Sequence, residues 1–493
     1  MADSAVPLKQ TPLNIMWFRR DLRLRDNPAF HEAVLNGNVI AVYTLCESQW
    51  DEHRVSLAQR ALIKNQLISL EAELSNYSIP LVVINTQAFK RIPKALVDFA
   101  EHNNSTSVFF NEEYELNEQN LSRSLISLAM KSGVGIKPYH EQCLMEPGSV
   151  LNKQGEPYKV FTAFKKTYLS ELSTRMRPLY ALPKAQLVKN KLSQSTIAVS
   201  SDLTALQAIE KFNLHTDFVI ESEHTAHDYL NEFCNDRIMD YKSHRDFPAI
   251  DGTSKLSTCL TLGVLSVRQC YQAAQQTLFQ SNTAAKEGIE TWVSELIWRD
   301  FYRHLIFLFP ELCKFKPFKI KTNQLPWKHD QKLFKAWKEG RTGYPIVDAA
   351  MRQLKSTGWM HNRLRMVVAM FLTKHLFIDW RWGEEYFMTS LIDADFASNN
   401  GGWQWSASTG VDAVPYFRIF NPTRQSERFD SEGLFIRKYV PELAELDNKS
   451  IHKPSEQQLK QLNYMQPIVN HSESVKQTKA WFKELDTLKE NQT

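Results

Sequence analysis

The sequence predicts an α/β domain followed by a wholly helical domain, and three observations carry that reading. The chain has 493 residues, enough for more than one folded unit with ample core. Short β-branched runs alternate with helical patterns before residue 140. After residue 225 the pattern is helical almost without interruption.

The strand-like runs are Leu13–Phe18, Val39–Leu45, Pro80–Ile84 and Thr106–Phe110, and helical patterns at Ser56–Leu74 and Ile92–Ala100 lie between them. This alternation builds βαβ units and a Rossmann-like parallel sheet covered on both faces. Ligands in such sheets sit at the carboxyl ends of the strands. No G-x-G-x-x-G follows the first strand, where the chain reads Trp17-Phe18-Arg19-Arg20-Asp21-Leu22-Arg23-Leu24-Arg25-Asp26-Asn27. Gly133 to Gly135 lacks the third glycine, so a dinucleotide bound here in the Rossmann manner is not expected. Walker A, H-E-x-x-H and G-x-S-x-G motifs are also missing from the sequence.

Residues from about 178 to 205, including Pro178, Pro183 and Lys189-Asn190-Lys191-Leu192-Ser193-Gln194-Ser195, are polar and weakly patterned and read as a long connector. Helical patterns then follow at Ala226–Met239, Ser266–Phe279, Thr291–Phe309, Pro345–Ser356 and His361–His375, with no internal repeat. The expected division is an α/β domain at 12–140, a linker at 141–224 and a helical domain at 225–470, with a charged terminal helix after about residue 470.

Composition narrows the functional classes. Hydrophobic residues make up 43% and charged residues 23%, as in an ordinary soluble globular protein. The N-terminus lacks the apolar core of a secretory signal, and the longest apolar stretch, Met366–Leu372, is too short to span a bilayer. Cys46, Cys143, Cys234, Cys259, Cys270 and Cys313 show no C-x-x-C spacing, so neither a zinc site nor a disulfide framework is expected, and a cytoplasmic location fits. A net charge of +4 does not by itself mark a nucleic-acid binder. Between Glu311 and Arg341 nine basic residues face three acidic ones, which alone reads as a solvated face. Nine of the twelve tryptophans lie between Trp292 and Trp405, so the aromatic load belongs to the helical domain. Indoles beside polar groups suit flat ligands such as bases or a flavin.

Four segments concentrate polar chemistry. In Trp292-Val-Ser-Glu295-Leu-Ile-Trp298-Arg299-Asp-Phe-Tyr302-Arg303, residues Trp292, Glu295, Arg299 and Tyr302 or Arg303 share one helical face. An exposed Glu–Arg pair would be worth little, but two indoles beside it make ligand contacts the better reading. In Gly358-Trp359-Met360-His361-Asn362-Arg363-Leu364-Arg365-Met366, Trp359, Asn362, Arg363 and Met366 form a stripe. His361 has no second ligand at helical spacing and reads as a hydrogen-bonded histidine. In Asp393-Ala-Asp395-Phe-Ala-Ser-Asn399-Asn400-Gly401-Gly402-Trp403-Gln-Trp405, the two carboxylates suit either a metal, hydrogen bonds to a ligand ring, or an arginine such as Arg365. Asp251-Gly252-Thr253-Ser254-Lys255-Leu256-Ser257 opens an apolar helix and can hold phosphate or be a simple cap.

Together these segments closely resemble the photolyase/cryptochrome family, specifically its class I cyclobutane pyrimidine dimer photolyases. The resemblance runs from Trp17-Phe18-Arg19-Arg20-Asp21-Leu22-Arg23 through Tyr158-Lys159-Val160-Phe161-Thr162 and Gly343-Tyr344-Pro345-Ile346-Val347-Asp348-Ala349-Ala350-Met351 to Phe420-Asn421-Pro422-Thr423. It implies FAD inside the helical domain and light-driven electron transfer to a flipped-out dimer in UV-damaged DNA, with the cofactor performing the hard step. By position it assigns Tyr241, Thr253, Ser254, Lys255, Leu256 and Ser257 to the pyrophosphate and ribityl region. Trp292, Glu295, Arg299, Asn362, Arg365, Asp393 and Asp395 would surround the flavin and adenine, with Asn399 at flavin N5. Glu295 and Asn362 would contact the dimer, Trp298 and Trp405 would stack on it, and Met366 would line the pocket. The role of Glu295 as a hydrogen-bond donor needs its carboxyl protonated in a dry, indole-lined setting. Arg245, Arg299, Arg363 and Gln425 are implied phosphate contacts. Trp403, Trp380 and Trp327 match the family's electron-transfer tryptophans, although as residues they read equally as core aromatics. Asn117, Glu118, Cys313 and Lys314 match contacts of a 5,10-methenyltetrahydrofolate antenna.

A monomer without metal or membrane attachment is expected. Three other readings are a cryptochrome-type blue-light signalling protein, a (6-4) photolyase and a non-enzymatic aromatic nucleic-acid binder. Against the second stands Asn362 after His361, where that subfamily has two adjacent histidines.

Overall fold

The early β-branched runs pair into one sheet. In the computed structural model, which describes residues 11–186, 199–200, 220, 222–281 and 285–487, the strands are β1 (Leu13–Phe18), β2 (Asn38–Leu45), β3 (Leu81–Asn85), β4 (Ser107–Asn111), β5 (Gly135–Tyr139) and β6 (Val199–Ser200). Their order is β5-β4-β1-β2-β3-β6. All neighbours are parallel except β6, which adds antiparallel to the β3 edge. Successive side chains point to opposite faces, so Ile15 and Trp17 join one buried cluster while Met16 and Phe18 join another. Both faces are thereby covered, as a parallel sheet requires.

Strand β5 was not expected, and its glycines explain why. Gly133 (φ 70°) closes the Leu116–Ser132 helix in the left-handed region. A Cβ on Gly135 would lie 2.5 Å from the Ser107 hydroxyl on β4. The G-x-G is therefore a helix stop and a close strand pairing, with no phosphate loop.

The Trp17–Asn27 stretch fastens the sheet to the helices. Arg23, fully buried, donates to the Gly263 carbonyl (2.9 Å) and pairs with Glu141. Asp26 binds Arg268 (3.0 Å) and the Ser266 hydroxyl. Gly263 admits this approach, since a Cβ there would meet the Arg20 carbonyl oxygen at 2.1 Å. One hydrophobic cluster runs from Met16 and Phe18 on the sheet to Trp292, Ile297 and Trp359 among the helices.

The Lys286–Leu308 helix is the axis of the helical part. Gly288 lets it close on the Met239 carbonyl oxygen, 2.0 Å from where a Cβ would sit. Within the expected linker the Phe161–Arg175 helix packs on this axis, with the Tyr168 hydroxyl donating to Asp300 (2.6 Å). Much of the expected connector, including Lys189 to Ser195, lies outside the described residues.

The single helix expected at His361–His375 is an α-helix, Asn362–Met370, passing into a π turn, Phe371–His375. The wider turn carries Lys374, whose buried ammonium donates to Ser408 Oγ (2.8 Å) and the Ala407 carbonyl (3.2 Å). The terminal helix, His471–Thr487, docks here as Thr478 Oγ1 donates to the Lys374 carbonyl (2.6 Å). No helix among the described residues is long and apolar enough to cross a membrane.

Candidate functional site

Helical periodicity brings the dispersed polar segments to one cavity of about 470 Å³. The axial helix presents Trp292, Glu295, Arg299 and Tyr302 with Trp298 beside them, all lining it. The Asn362–Met370 helix adds Asn362, Arg365 and Met366, and the Phe396–Ala407 helix adds Asn399, Trp403 and Trp405. Tyr241, Arg245, Ser254, Leu256, Ser257, Asp393 and Asp395 complete the wall.

The two aspartates are arginine partners. Arg365 Nη2 reaches both oxygens of Asp393 at 2.7 and 3.0 Å. Asp395 pairs with Arg303 and accepts from the Ser398 amide (2.9 Å), capping its helix. Burial pushes the Asp395 carboxyl up, but the guanidiniums of Arg303 and Arg299 outweigh it and hold the group well below the usual carboxylate range.

Asn399 is oriented by the backbone. Its Nδ2 donates to the Glu384 carbonyl (3.0 Å), which only accepts, so the amide is fixed and its Oδ1 is left uncommitted among the described residues. Glu384 is itself fully buried and accepts from Asn400 (2.8 Å). Burial raises its carboxyl to about 7, against the opposing Asn400 bond.

At the mouth a charged chain runs from Glu295 to Arg245 (2.5 Å), with Arg245 near Asp246 (3.9 Å) and Arg363 on Asp246 (2.7 Å). Arg245 and Arg363 also lie over the Tyr241 and Phe429 rings. A guanidinium only donates, so Glu295 accepts here, and its side chain is 31% exposed. The dry, hydrogen-donating carboxyl expected from the resemblance is corrected to that extent: the chain by itself holds Glu295 as an acceptor.

Several expected site residues stand elsewhere. Thr253 and Lys255 do not line the cavity; Lys255 has φ 55° and binds Asp251 (2.8 Å). The helix after them, Ser257–Leu262, is only six residues long, and its N-cap, Leu256, makes no side-chain cap bond. Arg299 lines the cavity with its guanidinium turned to the Gln142 carbonyl and only 14% of its side chain exposed, which leaves no free head for DNA. Gln425 and Arg363 lie outside the lining, and Gln425 Oε1 is buried without a partner among the described residues. Trp298 stacks on Phe161 (3.5 Å, 11°), so one face is already covered, while no ring neighbours Trp405 among the described residues.

Trp403 lies against Phe387 (5.0 Å) and directly over Gly383, where a Cβ would meet its ring at 2.1 Å. Trp380 is three residues earlier on that helix and fully buried. Trp327 stacks on Phe377 (4.8 Å), three residues before Trp380. No ring contact joins two of these three indoles directly among the described residues. His361 caps the Asn362–Met370 helix, its Nδ1 accepting from the Arg363 amide (3.2 Å), and burial lowers it to about 4.

A second cavity, about 370 Å³, opens at the carboxyl ends of β1 and β2 against the helical part. Asn117, Glu118 and Cys313 line it; Lys314 does not, being paired with Glu311 (2.5 Å). Arg19 and Arg20 bind Glu113 (2.7 and 3.0 Å), and Arg20 also binds Glu115 (2.8 Å). Burial, then Glu115 and Glu113, raises the Glu118 carboxyl to about 7. His53 stands between Glu118 (3.3 Å) and Asn117 (3.2 Å). Thr261 and Ala394 line both cavities, so they share a wall.

Sequence reasoning did not select Arg303 over Tyr302, nor Glu384, Phe387 or His53. Arg303 shares the Trp292 stripe and was legible as a candidate; the other three carry no motif.

Comparison with known proteins matches residues 14–184 to the family "DNA photolyase" and residues 292–484 to "FAD binding domain of DNA photolyase". The chain is 44% identical over 473 residues to the deoxyribodipyrimidine photo-lyase of Escherichia coli, covering 95% of this chain and 98% of that one. Among solved structures it is similar to a bacterial class III photolyase from Agrobacterium tumefaciens, with TM-score 0.86, 34% identity and coverage of 99% and 100%. It is also similar to a cryptochrome from Synechocystis, with TM-score 0.83, 29% identity and coverage of 96% and 100%.

Proposed function

The chain belongs to the DNA photolyase family, and from that premise we propose how its residues carry out light-driven repair of cyclobutane pyrimidine dimers in DNA. Its cofactor is FAD. The 470 Å³ cavity suits that group by its donor set. Asn399 offers an uncommitted, backbone-oriented Oδ1, which accepts a ring N–H; Ser254 and Ser257 offer hydroxyls; and Arg365 is fixed by Asp393. Asp393 and Asp395, already neutralised by arginines, form polar walls that carry no unpaired charge. Trp292, Arg299, Arg365, Asp393, Asp395, Asn399 and Tyr241 are the residues that would hold it. When bound there, FAD supplies the photo-excited electron that opens the cyclobutane ring.

The protein's part is reception and electrostatics. Trp405, whose ring has no aromatic neighbour among the described residues, and Trp298, backed by Phe161, receive the flat bases, while Met366 closes the side. Glu295 and Asn362 provide polar contacts to the dimer. Arg245 can release Glu295 to it by turning to a DNA phosphate, so arrival of the strand and freeing of the carboxyl are one event. Arg363 contributes a second phosphate contact at the rim. A damaged, poorly stacked step costs less to extrude than an intact one, which adds selectivity.

In the second cavity we place a light-harvesting 5,10-methenyltetrahydrofolate, contacted by Asn117, Glu118 and Cys313. The shared wall of Thr261 and Ala394 supports this, because it leaves the two cavities next to each other. Lys314 would have to leave Glu311 to reach an acidic tail.

The observation that carries the repair reading is the convergence of Glu295, Trp298, Asn362, Met366 and Trp405 on one cavity with the flavin set. The test is repair of a thymine-dimer oligonucleotide by the reduced holoprotein in near-UV or blue light and in darkness. Light-dependent recovery of intact thymines is expected. Flavin that photoreduces with no repair would move the reading to blue-light signalling or to a (6-4) substrate.

A further inference from the structure

The C-terminal helix carries an indole that the repair site does not use. Trp481 lies 4.0 Å from the Phe377 ring, and Phe377 is stacked at 4.8 Å on Trp327. The three rings belong to a small cluster of their own, closed by Leu325, Phe482 and Leu485. Phe377 is buried at 1% exposure, so the ring that touches both indoles is itself sealed from solvent. We propose that Trp481 is the outer electron-relay residue of this protein, one indole beyond Trp327, so that the C-terminal helix is part of the photoreduction path.

This rests on reading Trp403, Trp380 and Trp327 as an electron path. Phenylalanine is much harder to oxidise than tryptophan, so Phe377 serves as a packed bridge that holds no charge. Each electron that Trp403 gives toward the flavin is replaced in turn from Trp380, Trp327 and Trp481. Trp481 is left one electron short.

What favours Trp481 over Trp327 as the end point is the proton. An indole that has lost an electron is a strong N–H acid, and losing that proton traps the vacancy. Trp327 Nε1 is buried with no acceptor among the described residues, so Trp327 keeps its proton. Trp481 is half-exposed on an outer helix and has water at hand. The Lys328 ammonium, 5.8 Å from the Trp481 ring centre, opposes a second positive charge there and so drives the proton off. The balance is one electron to the flavin and one proton from Trp481 Nε1 to water. Trp481 is restored by one electron and one proton from an external thiol.

The test is transient absorption of the oxidised holoprotein after a light pulse, comparing wild type, Trp481→Phe, Trp481→Tyr and Trp327→Phe. Wild type should form a long-lived deprotonated tryptophan radical. Trp481→Phe should lose that long-lived signal at full flavin content, Trp481→Tyr should replace it with a tyrosine radical, and Trp327→Phe should lose the long-lived tryptophan signal as well. Repair by chemically reduced protein should be the same in wild type and Trp481→Phe, because repair needs no outer relay. A Trp481→Phe radical as long-lived as wild type, with Trp327→Phe defective, would overturn the role of Trp481 and leave the inner path standing. A Trp327→Phe variant with the wild-type signal would instead overturn the path itself.

Discussion

Replacing Asp395 by asparagine isolates the charge of one buried ion pair. The side chains of Asp395 and Arg303 are 8% and 6% exposed. Asparagine keeps the volume and still caps the helix through the Ser398 amide, now bound at 2.9 Å. What is lost is the countercharge of Arg303, whose second terminal nitrogen is already buried without a partner among the described residues, and of nearby Arg299. Leaving a buried charge unpaired costs about 3 kcal/mol or more. Asp395→Ala adds about 1 kcal/mol for the cap. For a unit the size of the helical part, the lower figure corresponds to a Tm fall of roughly 6–12 °C. The carboxyl is depressed in the folded protein, so its contribution is complete above the unfolded value of about 3.9 and is lost only as pH falls through the lower folded value. The deficit of Asp395→Asn is therefore expected to be flat from pH 5 to 8. Thermal unfolding of flavin-free protein, followed by circular dichroism, reads it, and Arg303→Met in the Asp395→Asn background should recover part of it. A loss below about 1 kcal/mol, the value of an exposed pair, would refute the reasoning, as would a deficit that changes across pH 5 to 8.

Glu295→Ala is expected to slow dimer repair by roughly tenfold, one hydrogen bond of about 1.4 kcal/mol, with flavin content unchanged; loss of flavin would make the residue chiefly a cofactor contact. Arg363→Ala should reduce the slope of log affinity against log salt for dimer DNA by about one; an unaltered slope would mean that Arg363 stays on Asp246 in the complex. Glu118 has its folded value raised from the unfolded one of about 4.3 to about 7, so its ionisation destabilises the folded chain as pH rises through about 7. Glu118→Gln should accordingly be more stable than wild type at pH 8, by at most about 4 kcal/mol, and equal to it only below about pH 4. A stability gap that is the same at both pH values would show that the effect is packing and not charge.

Much of the site was legible because helices make spacing into geometry. Trp292, Glu295, Arg299 and Tyr302 share a face by periodicity alone, and all four line the cavity. The run from Thr253 to Ser257 was less legible. Lys255 adopts a positive φ, which turns it to Asp251 and leaves Ser254, Leu256 and Ser257 on the wall. Glu384 was invisible because it acts through its backbone carbonyl, and any residue type offers one. The phosphate contacts were over-assigned for a related reason. Arginine at a motif position specifies charge, but the acceptor is settled by what packs nearby, as the Gln142 carbonyl does for Arg299.

The sequence by itself determined the class of fold, since period 2 and period 3.6 write sheet and helix directly, and it determined the family, since several motifs in one order cover the chain. It also determined which residue types were available to hold a flavin and a pyrimidine dimer. The tertiary structure decided who partners whom. Asp393 met Arg365 and Asp395 met Arg303, Arg245 claimed Glu295, and Trp481 came to rest on Phe377 from more than a hundred residues away. Local periodicity fixes the face on which a side chain lies. Only the packing of elements distant in sequence fixes the group that face meets, because burial forces every charge and every polar atom to take a partner from whatever lies opposite.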